Sequence, residues 1–399
     1  MKILVINAGS SSLKYQVFDM DSGKMIAKGL CDRIGVDGTV THKRPGKENY
    51  QLSTPLNSHD DAIAIVLRLL TDPELGVLKN IEEIGAVGHR IVHGGEKITE
   101  STILGPKEKE YLYSIVGINP LHGPPALKGL EACQKLLPDV NHVGVFDTSF
   151  YSHMPQESYI YPLPYEYYET YKIRRYGFHG TSHRYVSQKA AEYVGKDLKD
   201  LKMITCHLGN GSSISAIDGG VCVDTTMGFT PQEGLPMGTR SGSFDPTVVT
   251  YLMDKLGISP AEMDNIMNRK SGLLGMSGVS SDYREVAKAA AEGNPRAKLA
   301  LDVLYHSIVK IIGSFAAEMN GLDVVVFTAG IGENAAAVRE EVSKRLSFLG
   351  VEIDIEKNRS AACGEFCDIS KEGARAKVLA IPTDEEYMIA LDTFHMAKK

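Results

Sequence analysis

Two glycine- and serine-rich stretches, Asn7-Ala8-Gly9-Ser10-Ser11 and Asn210-Gly211-Ser212-Ser213, are where this sequence first offers chemistry. Residues without bulk let backbone N–H groups approach a phosphate chain closely, and serine hydroxyls add donors. Lys14 lies just beyond the first stretch, where its ammonium could reach a β- or γ-phosphate; a solvated strand lysine is the alternative. A third stretch, Gly330-Ile331-Gly332-Glu333-Asn334, follows an apolar run and leads into a helix expected to begin near Glu333-Asn334. Open α/β sheets place ligands at such strand–turn–helix junctions, and a helix N-terminus favours negative charge. It reads as a nucleotide contact, against the plainer reading of a tight turn. Neither G-x-x-x-x-G-K-[ST] nor G-x-G-x-x-G occurs, so phosphates must be met by these other turns.

The twelve histidines invite a metal reading that their spacing does not support. His179 and His183 stand four apart without the intervening Glu of a zinc hydrolase helix, and Gly180 weakens any helix there. His89, His93, His142 and His153 carry no assignment. The six cysteines are scattered, and Cys363 and Cys367 lack the C-x-x-C spacing and second ligand pair of a zinc site, so reduced structural thiols are expected.

Turns of this kind must be held by strands. Ile3 to Asn7, Lys14 to Phe18 and Met25 to Cys31 read as an antiparallel meander joined by Gly/Ser and Asp-Ser-Gly turns. A helix over Asp60 to Leu70, a strand over Ala86 to Val92, a helix over Pro125 to Leu136 and a strand over Val143 to Phe146 complete an α/β domain ending near residue 150. Tyr151 to Tyr176, rich in Tyr and Pro, reads as a connection rather than a packed element. A second meander follows over Met203 to Leu208, Ser213 to Ile217 and Val221 to Asp224. Helical Ala297 to Met319, a buried parallel strand over Asp323 to Thr328, a strand over Lys377 to Ile381 and a last helix from Asp384 end the chain. The two meanders, about 200 residues apart, imply a duplication, although two unrelated hairpins with common turn chemistry would look alike.

Length and composition agree with this plan. A chain of 399 residues exceeds one core, and 43% hydrophobic with 23% charged residues is ordinary for a globular protein. The net charge of -7 shows no basic stripe for nucleic acid, so no nucleic-acid partner is expected. No apolar run approaches the ~18 residues of a membrane span and no signal peptide is visible, so a cytoplasmic protein without a membrane partner is expected.

On Leu4-Val5-Ile6-Asn7-Ala8-Gly9-Ser10-Ser11-Ser12-Leu13-Lys14, on Gly177-Phe178-His179-Gly180-Thr181-Ser182-His183 and on His207-Leu208-Gly209-Asn210-Gly211, the chain resembles the acetate kinase family over essentially its whole length. The resemblance implies an α/β fold of two duplicated RNase H-like (actin-like ATPase) domains with an interdomain active-site cleft. The first domain would span residues 1–150, joined by the C-terminal helix 385–399, and the second, nucleotide-binding domain residues 151–384. The implied activity is reversible, Mg-ATP-dependent phosphorylation of acetate to acetyl phosphate and ADP by direct in-line transfer, with Mn2+ as the alternative metal and a homodimer as the assembly. Asp147, His179 and Arg240 would be catalytic; Arg90, Val92, Leu121, His122, Phe178 and Pro231 would hold acetate. ATP would meet Ser10, Ser12, Lys14, His207, Leu208, Gly209, Asn210, Gly211, Asp282, Tyr283, Arg284, Gly330, Ile331, Gly332, Glu333 and Asn334. The metal would meet Asn7 and Glu385. Where the family pattern has Thr-Asn-Glu-Glu, this chain has Thr383-Asp384-Glu385-Glu386, and Thr383 with Glu386 has the spacing of a capping box, which leaves Glu385 as the metal candidate.

Phosphoryl transfer needs positioning and neutralisation of oxygen charge more than covalent help. Arginine forks match carboxylate and phosphate, a histidine adds a donor, and Asp147 would orient an arginine or a metal-bound water. A propionate or butyrate kinase would share this machinery with a different pocket volume. An actin-like or chaperone-type ATPase would need a water site and a partner surface instead.

Overall fold

The computed structural model describes residues 1–119, 123–361 and 364–398. The chain divides into two compact units, Met1–Ser152 joined by the stretch from Asp384 onward, and His153–Thr383.

In the first unit the strands are β1 (Lys2–Ala8), β2 (Ser12–Asp19), β3 (Lys24–Asp32), β4 (Thr39–Lys43), β5 (Tyr50–Ser53), β6 (Ile84–Ile91), β7 (Thr102–Ile103) and β8 (Asn141–Phe146). They form one sheet in the order β5-β4-β3-β2-β1-β6-β8-β7. β1 is antiparallel to β2 and parallel to β6, β6 is parallel to β8, and β7 closes the edge antiparallel to β8. Successive side chains of a strand point to opposite faces. Leu4 and Ile6 of β1 therefore enter the core shared with the helices His59–Leu70 and Gly123–Leu136, while Ile3 and Val5 meet the C-terminal helix Glu385–Ala397. Both faces are covered, which is why β1 reads as an unbroken apolar run.

The second unit repeats this plan with β9 (Lys202–Leu208), β10 (Ser212–Asp218), β11 (Val221–Thr225), β12 (Val324–Thr328), β13 (Cys367–Asp368) and β14 (Lys377–Ala380), in the order β11-β10-β9-β12-β14-β13. A meander, of three strands here against five in the first unit, is again followed by two parallel strands and an antiparallel edge strand. Ile204, Cys206 and Leu208 face a core built largely on the helix Pro295–Glu318, whose Leu304, Ile308 and Ile312 are buried there. That helix is the one, among the described residues, long and apolar enough to cross a membrane, and its apolar stripe is spent on this core. The alternate residues Thr205 and His207 lie on the face covered by the helix Gly180–Val194.

Several expectations are corrected. Each hairpin turn has three residues, 9–11 and 209–211, so the repeat runs at an offset of 200 and aligns Ser12 with Ser212 rather than Asn7 with Asn210. Tyr151 to Tyr176 is not a bare connection: it holds short helices at Gln156–Tyr159 and Tyr165–Tyr171, and Tyr151 and Tyr176 are buried. Gly180 opens a helix instead of breaking one, because a glycine's entropic cost falls on helix interiors, not first turns. The junction after β12 is tighter than expected, with Gly330 to Asn334 already helical behind Ala329, whose φ of 64° few non-glycine residues adopt. The Thr383–Glu386 capping box is absent; Asp384 is the N-cap, accepting from the Tyr387 N–H at 2.9 Å.

Candidate active site

In the first unit, β6 and β8 run parallel and end side by side, so residues at their C-terminal ends are neighbours. Arg90 comes from one and Asp147 from just beyond the other. The guanidinium meets the carboxylate two-pronged, Nε to Oδ1 at 3.0 Å and Nη2 to Oδ2 at 2.8 Å. Glu385, the first residue of the C-terminal helix, places Oε2 3.5 Å from the same Nη2. Burial pulls the Arg90 guanidinium toward neutrality, but Asp147 and Glu385 outweigh it and raise its pKa. Burial pushes the Glu385 carboxyl up to about 7 despite the pull of Arg90, with Asp147 and Glu386 adding to the rise. The site thus holds more carboxylate than its one arginine can neutralise. Asn7 and Lys14 are cross-strand partners on β1 and β2 and line a cavity of about 410 Å3 together with Lys28, Lys43 and Glu386. At the β1–β2 turn the Gly9 N–H donates to the Ser12 carbonyl at 2.8 Å, and His59 bonds the Gly9 carbonyl at 2.8 Å.

In the second unit, the β9–β10 turn is tied by the Gly209 N–H to the Gly211 carbonyl at 3.1 Å and by the Ser212 hydroxyl to the Gly209 carbonyl at 3.0 Å. A methyl group built on Gly211 would stand 3.5 Å from His179 Nε2 and 3.5 Å from Arg240 Nη1. Gly211, His179 and Arg240 are therefore brought together. Arg240 also donates to the Pro231 carbonyl at 3.1 Å, and burial, with Arg269, lowers its pKa. His179 has a left-handed backbone, φ 59°, at the N-cap of the helix Gly180–Val194, and its ring stacks on His207 with centroids 4.1 Å apart. Its Nδ1 bonds Ser213 at 2.9 Å.

The chain as a whole has close counterparts. The sequence pattern of the Acetokinase family matches residues 2–391. The chain belongs to the acetokinase family. "Acetate kinase 2" of Clostridium perfringens is 52% identical over 400 residues, covering the whole of both chains. The crystal structure of Porphyromonas gingivalis acetate kinase superposes with a TM-score of 0.95 at 45% identity, covering 99% of each chain. That of a propionate kinase from Francisella tularensis does so with a TM-score of 0.91 at 37% identity, again over 99% of each.

Other residues that the acetokinase resemblance singled out fall differently. Leu208 is buried in the core and Tyr283 bonds Tyr305 there at 3.0 Å, so their side chains are structural. Asp282 N-caps the helix Tyr283–Ala291 and pairs with exposed Arg284, whose hydrogen bonds bring its carboxyl down to about 2. Val92 lies one residue past the end of β6, so strand alternation does not place it beside Arg90. Phe178 is buried in the second unit, which also holds half-buried Pro231, whereas Leu121 and His122 lie outside the described residues. Among the described residues no three His, Cys, Asp or Glu side chains are grouped as a metal cage. Sequence reasoning passed over Arg339, which is fully buried in the second unit and donates to the carbonyls of Gly332 and Glu333 at 2.8 and 2.7 Å and to Asn358 at 2.7 Å. It also passed over Thr205, and it did not foresee the partners of Ser213 and Ser182, which are distant in sequence.

Proposed function

We propose that the chain is an acetate kinase in which Arg90 binds the acetate carboxylate and the second unit binds ATP. The observation that carries this reading is the convergence of His179 Nε2 and Arg240 Nη1 on the open face of Gly211. Two donors aimed at one point beside a small-residue turn suit the equatorial oxygens of a phosphoryl group in transfer. Asp147 is the positioning residue for Arg90: it occupies one edge of the guanidinium and fixes the plane of the fork. Acetate, like a Glu side chain of pKa ~4.3, is already ionised and attacks without a general base. Gly209 to Gly211, Gly330 to Asn334 and Asp282 to Arg284 hold the nucleotide, with Ser10, Ser12 and Lys14 toward its phosphates.

Asn7 and Glu385 would hold Mg2+, or Mn2+ in its place. They fit it: a carboxyl pushed up to about 7 beside Asp147 and Glu386 marks surplus negative charge, and Mg2+ commonly binds through one or two protein oxygens plus phosphates. When bound, the metal neutralises phosphate charge. In this reading the enzyme works as a cytoplasmic homodimer, which sedimentation at working concentration checks.

Incubation with ATP, acetate and hydroxylamine should yield acetyl hydroxamate, and ATP hydrolysis without it would reject the kinase in favour of an ATPase. Propionate as substrate is the second reading, supported by the likeness to a propionate kinase. One methylene in an apolar pocket is worth about 10- to 200-fold, so kcat/KM for propionate should be lower by that margin. A native preference for propionate would favour the second reading.

A further inference from the structure

His179 does not stand alone behind the phosphoryl site. Its Nδ1 lies 2.9 Å from the Ser213 hydroxyl; that hydroxyl lies 2.8 Å from His183 Nε2; and His183 Nδ1 lies 2.7 Å from the Thr205 hydroxyl. Thr205, His183 and Ser213 are all fully buried. The chain crosses three elements, from β9 through the helix Gly180–Val194 to β10 and back to the N-cap of that helix.

Hydrogen counting gives the chain a direction. Thr205 Oγ1 has His183 as its partner among the described residues, and a buried hydroxyl proton left without an acceptor costs more than a lone pair left without a donor. Thr205 therefore donates to His183 Nδ1. Burial, with His207 nearby, holds His183 well below the usual imidazole pKa, so it stays neutral with its single proton on Nε2. That N–H donates to Ser213, whose own proton is then free to go only to His179 Nδ1. The remaining proton of His179 sits on Nε2, the atom that faces Gly211 beside Arg240. The stacked neighbour is ordered in the same sense: Thr383 donates to Ser182 at 2.7 Å, and Ser182 reaches His207 Nδ1 at 2.8 Å.

We propose that Thr205, His183 and Ser213 order the protons of the site and hold His179 as the Nε2–H tautomer, so that it donates to the phosphoryl group whether its ring is charged or neutral. The proposal rests on the reading of His179 as a phosphoryl donor. Thr205, His183 and Ser213 are positioning residues; none reaches the substrate in this scheme. Among the described residues, the titratable and charged groups at the His179 ring include His183 on its own helix, His207 from β9 and Arg240 from the loop that carries Pro231.

The direct test is a long-range 1H–15N spectrum of the full-length enzyme labelled at histidine nitrogens, at pH 8, with the His179 signals identified by their loss in His179→Gln. The expected pattern is a protonated Nε2 and an acceptor Nδ1 for His179. A protonated Nδ1, or averaging between tautomers, overturns the proposal. The kinetic test is Ser213→Ala. Above about pH 6.5, where an imidazole is neutral, its His179 is free to place the proton on either nitrogen, whereas the charged ring carries both. Its kcat should be within about threefold of native at pH 6 but roughly 10-fold or more below native at pH 8, with the KM for ATP little changed. A pH profile parallel to the native one sinks the relay. If His179→Ala retains native kcat, the phosphoryl-donor reading itself fails; if it loses activity while Ser213→Ala keeps the native profile, only the relay fails. Should Ser213→Ala not fold, the native spectrum decides.

Discussion

An arginine that is to bind a carboxylate substrate must resist collapsing onto the nearest protein carboxylate, and Arg90 meets this condition by being only half used. Asp147 takes Nε and Nη2, which fixes the fork and leaves Nη1 outside that pair. In the proposed function His179 and Arg240 supply the complementary half of the chemistry, acting on charge that grows during transfer. Replacing either by Ala should lower kcat by roughly 10²-fold or more, the scale of losing one such donor. If only the KM for acetate rose, both would be ground-state binders and their assigned roles would be wrong. Glu385 tests the metal assignment separately. Its carboxyl, pushed up by burial, gains from a divalent cation what Arg90 alone does not supply. Glu385→Ala should raise the Mg2+ concentration needed for half-maximal activity by about 10-fold or more, the usual scale for disturbing a metal site. An unchanged Mg2+ titration with normal circular dichroism would remove Glu385 from the metal site.

Turns, caps and strand ends decide where those side chains point, and here the sequence was legible to different depths. Both Gly/Ser hairpins were readable because apolar runs flank small turn residues, and both meanders formed as expected. The cap of the last helix was misread by one position, since Thr383 and Asp384 are both capable caps and only tertiary structure chooses between them. Thr383 is used otherwise: its N–H donates to Glu333 at 3.1 Å and its hydroxyl to Ser182. Nothing in an alanine advertises the positive φ of Ala329, and nothing in the spacing of His183 from Thr205 or Ser213 advertises their contact. The short strands β4 and β5, at the β5 end of the first sheet, escaped notice because their alternating polar residues look like loop. The cap makes a prediction. Asp384→Ala should destabilise the first unit by about 1 kcal/mol, within the ~0.5–2 kcal/mol range for a lost N-cap, while Asp384→Asn, which keeps the acceptor, should be near neutral. Urea denaturation measures both, and an equal loss in the two variants would mean that charge, not capping, is what Asp384 contributes.

Each unit carries its own sheet and core, but the first is discontinuous: it is completed by residues some 230 positions further along the chain. The C-terminal helix Glu385–Ala397 covers the face of β1, β6 and β8 that Ile3, Val5, Ala86, Val143 and Val145 present. The fit is tight. A methyl group on Gly88 of β6 would come within 2.4 Å of Thr393 Oγ1 and 2.8 Å of an Ile389 methyl, so glycine lets the helix lie directly on the strand. Ile389, 1% exposed, is the central contact from the helix side. Truncating a buried Ile to Ala costs about 2–5 kcal/mol, the lost transfer energy plus an unfilled cavity, against a total of about 5–15 kcal/mol for a domain. Ile389→Ala should therefore raise amide exchange through β1, β6 and β8 by roughly 30-fold or more, since every 1.4 kcal/mol is tenfold in the opening equilibrium. The same substitution at Ile308, fully buried on the core helix of the second unit, should instead raise exchange in β9 and β12. Mass-spectrometric hydrogen exchange on the two variants compares them directly. If Ile389→Ala left β1, β6 and β8 protected while loosening the second sheet, the C-terminal helix would not be the element that completes the first core, and the placement of Glu385 at the end of that helix would lose its structural basis.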